Sequence, residues 1–188
     1  ARKDDPVIDY AEGMVEEIRL VGEAIGRRLP VSHIHWGGGT PSLLPSESFR
    51  AVVKALRATF DILPSVEHAI ELDPRTVRED LAALLAESGV TRASLGVQDF
   101  DPTVQKAIGR IQPIETVERA VAALRGAGIT AINFDLMYGL PHQTPETIRR
   151  TIELTHRFGP SRIALFGYAH VPWFKKHQRL IDEASLPG

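Results

Sequence analysis

The chain has 188 residues, of which 43% are apolar and 24% charged, and its formal net charge is −2. This balance indicates one globular domain, covering residues 1–188, with both charge signs interspersed, and it argues against nucleic acid or an anionic membrane as a partner. No apolar run approaches the roughly 20 residues that cross a bilayer, and no signal-peptide pattern occurs, so we expect a soluble, cytoplasmic protein. Cysteine is absent, which excludes disulfides and thiolate ligands within these residues.

Hydrophobic periodicity alternates between helical and strand spacing along the chain. Helices are predicted at about 6–25, 47–60, 77–88, 102–108, 114–125, 145–156 and 174–184, and strands at 31–36, 66–72, 91–97, 129–136 and 162–166. Asp5, Ser46 and Thr144 are predicted to cap helices, and Thr76 with Glu79 forms the pattern of a capping box. Strict alternation predicts an α/β fold with a parallel sheet. The pattern fits a flat doubly wound sheet or a partial (β/α) barrel, and we expect the partial barrel.

The first predicted strand runs into three consecutive glycines, Gly37 to Gly39, followed by Thr40 and Pro41. Such a run is kept where the backbone must approach a ligand closely or where φ must be positive. It fits a tight turn between strand and helix equally well. A ligand loop at the mouth of the sheet is the functional interpretation.

Other polar residues fall where the predicted strands end, which is where parallel α/β proteins place their chemistry. Glu71, Gln98 and Asp135 close three strands, and Arg110 follows a short helix. Each carboxylate could instead cap a helix or pair with an arginine. Taken together, carboxylates suit ribose hydroxyls or an ammonium group, and Gln98 and Arg110 suit a carboxylate. These residues predict a site for a zwitterionic, ribose-bearing ligand.

His33 and His35 are two residues apart and would share one face of a strand, as metal ligands can. Such pairs are more often hydrogen-bonded structural residues. We therefore predict no metal ligands in this chain.

Five sequence motifs occur in order: HWGGGTP at 35–41, IELDPR at 70–75, GVQDF at 96–100, DLMYGLP at 135–141 and QTPE at 143–146. With them, the chain resembles the radical SAM enzymes, and among these the oxygen-independent coproporphyrinogen III oxidases. The segment 168–172 is more similar to the oxidases than to the related haem chaperones.

The resemblance implies a role for eight residues. It implies that the first S-adenosylmethionine (SAM) is bound by Gly38, Gly39, Thr40 and Glu71, with a backbone contact from Ala169 near its adenine, and a second SAM by Gln98, Arg110 and Asp135.

The implied reaction converts propionate side chains of coproporphyrinogen III to vinyl groups, giving protoporphyrinogen IX. A [4Fe-4S] cluster passes an electron to SAM, and a flavodoxin or ferredoxin supplies it. A monomer is expected. Two alternatives remain open at this point: a haem chaperone of the same superfamily, and an unrelated phosphate-binding barrel enzyme, for which a second glycine-rich cradle is lacking.

The chain departs from the family in one respect. The family holds its cluster with three cysteines spaced C-x3-C-x2-C before the first helix, and this chain has none. The family's first strand and its smaller C-terminal domain have no counterpart either. We therefore expect a fragment of the radical SAM core that lacks the first strand and cluster loop and is inactive as it stands.

Overall fold

A single parallel sheet of five strands organises the computed structural model, which describes residues 6–187. The strands are β1 (Pro30–Trp36), β2 (Asp61–Leu72), β3 (Arg92–Gln98), β4 (Ala131–Tyr138) and β5 (Arg162–Gly167). Each strand pairs in parallel with the next along the chain, so that chain order and spatial order are the same. This arrangement is a half-barrel, which confirms the expected partial (β/α) barrel over a flat doubly wound sheet.

One helix, α1 (Pro6–Ile25), precedes the first strand. The other helices form the crossovers between the strands, and they are α2 (Ser46–Thr59), α3 (Glu79–Glu87), α4 (Pro102–Ala107), α5 (Ile114–Gly126) and α6 (Pro145–Arg157). Across residues 6–187, none of these helices is both long and apolar enough to span a membrane.

The two faces of the sheet differ in character because side chains alternate along each strand. On β3 and β4, every second residue is buried against the helices, and Leu95, Ile132 and Phe134 are at most 1% exposed. Burial of each such side chain contributes roughly 1.5–3 kcal/mol. The intervening residues point to the concave inner face and are mostly polar. The apolar outer face therefore fixes the curvature and register that bring the polar inner residues together.

Several local predictions need correction. Ser46 is the first residue of α2 rather than its cap, which is Pro45. Thr76 does not form a capping box with Glu79, because it lies in a 3-10 turn where its hydroxyl donates to the Asp73 carbonyl. The predicted C-terminal helix is two separate 3-10 turns, Lys176–Leu180 and Glu183–Ser185.

The predicted cap at Thr144 is confirmed. The hydroxyl of Thr144 accepts from the backbone N–H of Thr147 at the start of α6. Asp101 caps α4 in the same way, and Gly89 ends α3 with a φ of +84°. The predicted cap Asp5 lies outside the described residues. β4 continues to Tyr138, so Asp135 lies within that strand, three residues before its end.

Candidate functional site

Six of the predicted residues line one small cavity at the carboxyl ends of β1 to β4. Its volume is about 180 Å³, and its walls include Gly39, Thr40, Glu71, Gln98, Arg110 and Asp135. These residues come from five separate segments of the chain. The parallel sheet brings them together because the carboxyl ends of neighbouring strands meet at one edge.

The glycine loop has two distinct reasons to lack side chains. Gly38 and Gly39 adopt φ values of +72° and +43°, in the left-handed region that other residues avoid. Gly37 has no such backbone requirement. A Cβ there would come within 3.1 Å of Oε1 of Glu71 and 3.0 Å of Nε2 of His35. The loop thus turns sharply and also leaves room for the neighbouring polar pair.

That pair joins β1 to β2 across the concave face. Nε2 of His35 and Oε1 of Glu71 are 3.0 Å apart, and about half of each side chain is exposed. His33 instead contacts Oγ of Ser32 through Nδ1 at 2.9 Å. Within residues 6–187, no three metal-ligating side chains lie close enough together to hold a metal ion. Glu71 keeps an exposed carboxylate oxygen at the edge of the cavity.

The Asp135 carboxyl lies in a less solvated position on β4. Burial raises the pKa of Asp135, the hydrogen bond from Ser94 opposes this, and the charge of Glu71 raises it further. Oγ of Ser94 donates to Oδ2 of Asp135 at 2.9 Å. Two carboxylates therefore face one cavity, Asp135 with the Ser94 hydroxyl and Glu71 with the His35 imidazole as its neighbour, and their remaining acceptor positions favour a ligand that brings hydroxyl or ammonium donors.

The opposite wall carries the donors. Nη2 of Arg110 donates to the Gly96 carbonyl at 2.8 Å and lies 3.4 Å from Oδ2 of Asp73. A Cβ at Gly96 would come within 3.0 Å of Nε2 of Gln98 and 3.2 Å of Nη2 of Arg110. Gly96 therefore makes the space in which the guanidinium and the carboxamide lie side by side, an arrangement suited to a carboxylate.

The Asp73 carboxylate helps to hold the Arg110 guanidinium in place. Burial by itself would raise the pKa of Asp73, but the hydrogen bonds from Arg75 and the charge of Arg110 lower it overall. Asp73 is therefore ionised at neutral pH and neutralises part of the charge of Arg110. The Nε atom of Arg110 is buried without a hydrogen-bond partner in the structure.

The two remaining predicted residues line adjoining cavities. Gly38 contributes to a cavity of about 560 Å³ between the glycine loop and α1, which shares Gly39 and Thr40 with the small cavity. Ala169 lines a cavity of about 820 Å³ above β4 and β5, which shares Gln98 and Arg110. The eight residues thus border three neighbouring spaces with common walls.

Sequence reasoning missed two residues of this site. Ser94 could have been found by alternation, because it lies two residues before Gly96 and four before Gln98 on the same face of β3. Asp73 follows β2 directly within the second motif, and only the structure shows its contact with Arg110.

The donor set fits one of the two implied groups. Glycine amides, paired carboxylates and an Arg–Gln pair match the ammonium, carboxylate and ribose of SAM. An iron–sulfur cluster requires thiolate ligands, and these 188 residues contain no cysteine. The residues of this cavity are therefore chemically suited to SAM, and none in this chain is suited to the cluster.

The chain is similar to known proteins of one superfamily. Residues 6–155 match the model of the radical SAM superfamily. Proteins named oxygen-independent coproporphyrinogen III oxidase from Bradyrhizobium diazoefficiens and Paracoccus denitrificans are 52% and 43% identical over 186 residues. Each alignment covers 99% of this chain and 41% of the relative.

Solved structures give the same result. Coproporphyrinogen III oxidase (HemN) from Escherichia coli, described as a radical SAM enzyme, has a TM-score of 0.91 and 36% identity, over 100% of this chain and 43% of that one. The methyltransferase TsrM from Kitasatospora setae shares the fold with a TM-score of 0.65 at 20% identity. The chain spans about two fifths of the length of its oxidase relatives. Because the superfamily model covers most of its length, the chain belongs to the radical SAM superfamily.

Proposed function

We propose that this chain is the SAM-binding part of an oxygen-independent coproporphyrinogen III oxidase. The proposed reaction is the oxidative decarboxylation of coproporphyrinogen III propionates to vinyl groups, giving protoporphyrinogen IX. One observation carries the proposal, namely that Glu71, Gln98, Arg110 and Asp135 line a single cavity beside the glycine loop. The names and the 40–52% identities of the relatives support it.

The proposed binding roles follow from the chemistry of each wall. Gly38, Gly39 and Thr40 would offer backbone groups to the methionyl end of a first SAM, and Glu71 would accept from its ammonium or ribose. Gln98 and Arg110 would donate to the carboxylate of a second SAM. Asp135 would accept from that molecule's ammonium or ribose.

The contact assigned to Ala169 extends the site into the neighbouring cavity of about 820 Å³, near the first adenine. This volume is in the range of small-molecule sites, and its apolar walls include Met137, Leu140 and Ile181. Lys106 and Arg110 are its charged lining residues, and both are cations. An apolar cavity with cations suits a hydrophobic ligand that carries carboxylates, and the propionate-bearing substrate has this character.

A [4Fe-4S] cluster would supply the electron for reductive cleavage of SAM to the radical that takes hydrogen from a propionate, and loss of CO2 and of one electron to a separate acceptor would leave the vinyl group. The residues of this chain would orient SAM against the substrate. The apolar walls at Met137 and Leu140 would exclude water from the reacting atoms. The cluster ligands would come from residues outside this chain.

The setting of the reaction is also part of the proposal. We place it in the cytoplasm of the cell, with a flavodoxin or ferredoxin as electron donor and a monomeric enzyme. Residues 1–188 would form one domain of that enzyme.

The test uses the full-length protein that carries this chain, reconstituted with iron and sulfide without oxygen. Incubation with SAM, a reductant and coproporphyrinogen III is expected to yield 5′-deoxyadenosine and protoporphyrinogen IX. A loaded cluster without either product would overturn the proposal. Tight binding in a haem titration, without decarboxylation, would instead support the haem chaperone.

A further inference from the structure

The strand that carries Gln98 ends in an uncommon backbone turn. Gln98 has a φ of +67°, and the backbone N–H of Asp99 donates to the Val97 carbonyl at 2.9 Å. A hydrogen bond between residues two apart around a positive φ defines the strained form of the γ-turn. The pairing with β4 shifts register at the same point, between Gly96 and Gln98. Such conformations persist only where the surroundings hold them.

A buried cluster of side chains lies directly behind this turn. Asp99 is 0% exposed, and its carboxylate accepts hydrogen bonds from Oγ1 of Thr151 at 3.0 Å, from the N–H of Asp101 at 2.6 Å, and from the carboxamide of Gln143. Its backbone carbonyl accepts from Nε2 of Gln105 at 2.9 Å. Both the carboxylate and the peptide of Asp99 are therefore fixed.

Thr151 ties the turn to α6 in two ways. Its hydroxyl donates to the Asp99 carboxylate and accepts from the backbone N–H of Phe100 at 3.2 Å. Gln143 adds a second link, since its carboxamide also donates to the Met137 carbonyl at 2.9 Å. The turn is thus held from β4 and from α6, although none of these side chains lines the small cavity.

We infer that the buried cluster of Asp99, Gln143 and Thr151 is a positioning device that holds the Gln98 carboxamide beside Arg110, and so sets the affinity of the cavity for its ligand. The positive φ sets the direction of the Gln98 side chain, whose Nε2 atom lies 3.0 Å from where a Cβ at Gly96 would stand. The identity of the ligand as SAM rests on the proposed function. The positioning role rests on the turn and the cluster alone.

Thr151 and Thr155 offer a matched pair of variants. They lie one helical turn apart on α6 and are 2% and 0% exposed, and the hydroxyl of Thr155 has no hydrogen-bond partner in the structure. In the full-length, cluster-loaded protein, Thr151→Val should raise the Kd for SAM roughly fivefold, the effect of losing one hydrogen bond. Thr155→Val should leave the Kd unchanged, and Thr151→Ser, which keeps the hydroxyl, should restore it.

A double-mutant cycle separates positioning from a general structural effect. If Thr151 acts through Gln98, Thr151→Val should add nothing to the Kd of a Gln98→Ala protein. An equal fivefold loss in that background, or an unchanged Kd in Thr151→Val alone, would overturn the inference.

A second readout needs no ligand. Amide hydrogen exchange at Asp99, whose N–H closes the γ-turn, should be faster in Thr151→Val than in Thr155→Val, and equal rates would overturn the inference. A wild-type protein that fails to bind SAM would contradict the proposed function, while the exchange rates would still decide whether the cluster holds the turn.

Discussion

The concave face of the half-barrel carries two polar clusters on the same strands, and they differ in how their charges are satisfied. At the amino ends, Arg92 donates to Oε2 of Glu67 and to Oδ1 of Asn133, both at 3.0 Å. Two to four residues further along each strand, Glu71, Ser94 and Asp135 occupy the equivalent inward positions with no arginine between them. The first cluster is paired within the protein, and the second is left open to a cavity.

The pKa shifts of the carboxyl groups in the two clusters differ in the same way. The hydrogen bond from Arg92 is the main cause that lowers the pKa of Glu67, whereas burial and the charge of Glu71 raise the pKa of Asp135. A carboxylate whose pKa is lowered stabilises the fold at neutral pH, and one whose pKa is raised costs stability there. The first cluster, around Arg92, thus supports the fold. The second cluster, around Asp135, retains unsatisfied groups for a ligand.

The largest expected effect is on stability, from Arg92→Met. Arg92 is only 14% exposed on its side chain, so its removal leaves Glu67 and Asn133 without their main donor. We expect a loss of about 2 kcal/mol, below the range for fully buried pairs because Glu67 keeps some solvent. Urea denaturation measures the loss.

The control for this variant is Arg78→Met. It breaks an ion pair with Asp80 in which both side chains are mostly exposed, and a change within about 0.5 kcal/mol is expected. Equal losses of stability in the two variants would contradict a structural role for the first cluster. Weaker SAM binding in Arg92→Met would contradict the separation of the first cluster from the binding site.

The next-largest effects are expected from two matched glutamate variants, one in each cluster. Glu71→Gln should raise the Kd for SAM about tenfold and leave stability nearly unchanged, since a charged acceptor at the cavity is lost. Glu67→Gln should do the reverse, lowering the free energy of unfolding by about 1 kcal/mol without affecting the Kd. Calorimetric titration and denaturation of both proteins check this, and an unaltered Kd in Glu71→Gln would remove Glu71 from the site.

The smallest expected effect is a pH dependence at Asp135. Its folded-state pKa lies above the reference value of 3.8, so the folded protein binds a proton more readily than the unfolded chain does. The stability linked to that proton is present below pH 3.8 and lost as the pH rises through the folded pKa. Asp135→Asn should therefore raise the free energy of unfolding at pH 7 by about 0.5 kcal/mol, since solvent partly screens the carboxyl.

Denaturation series at pH values from about 3.5 to about 7 should show that the gain in stability from Asp135→Asn shrinks toward acid. The loss caused by Glu67→Gln should also shrink toward acid, because the pKa of Glu67 is lowered and its contribution disappears as the pH falls. A gain in Asp135→Asn that grows toward acid would contradict the assignment.

Local signals predicted the elements of this fold well, and failed where tertiary contacts competed with them. Thr144 caps α6 as its sequence context indicates. Thr76 has an equally good context, yet its hydroxyl is engaged by Asp73 and Ser42, and α3 begins three residues later. The last segment has helical spacing but no apolar face long enough to bury, and short helices without such packing are marginal.

The sequence by itself determined the parallel α/β fold and the polar residues near the strand ends, because periodicity and glycine conformation are local properties. Only the tertiary structure decided which of these residues share a cavity. It joined Arg110 to Asp73, Ser94 to Asp135, and the γ-turn at Gln98 to Thr151, 53 positions further along the chain. These contacts depend on strand register and helix packing, which the whole core fixes and no local pattern encodes.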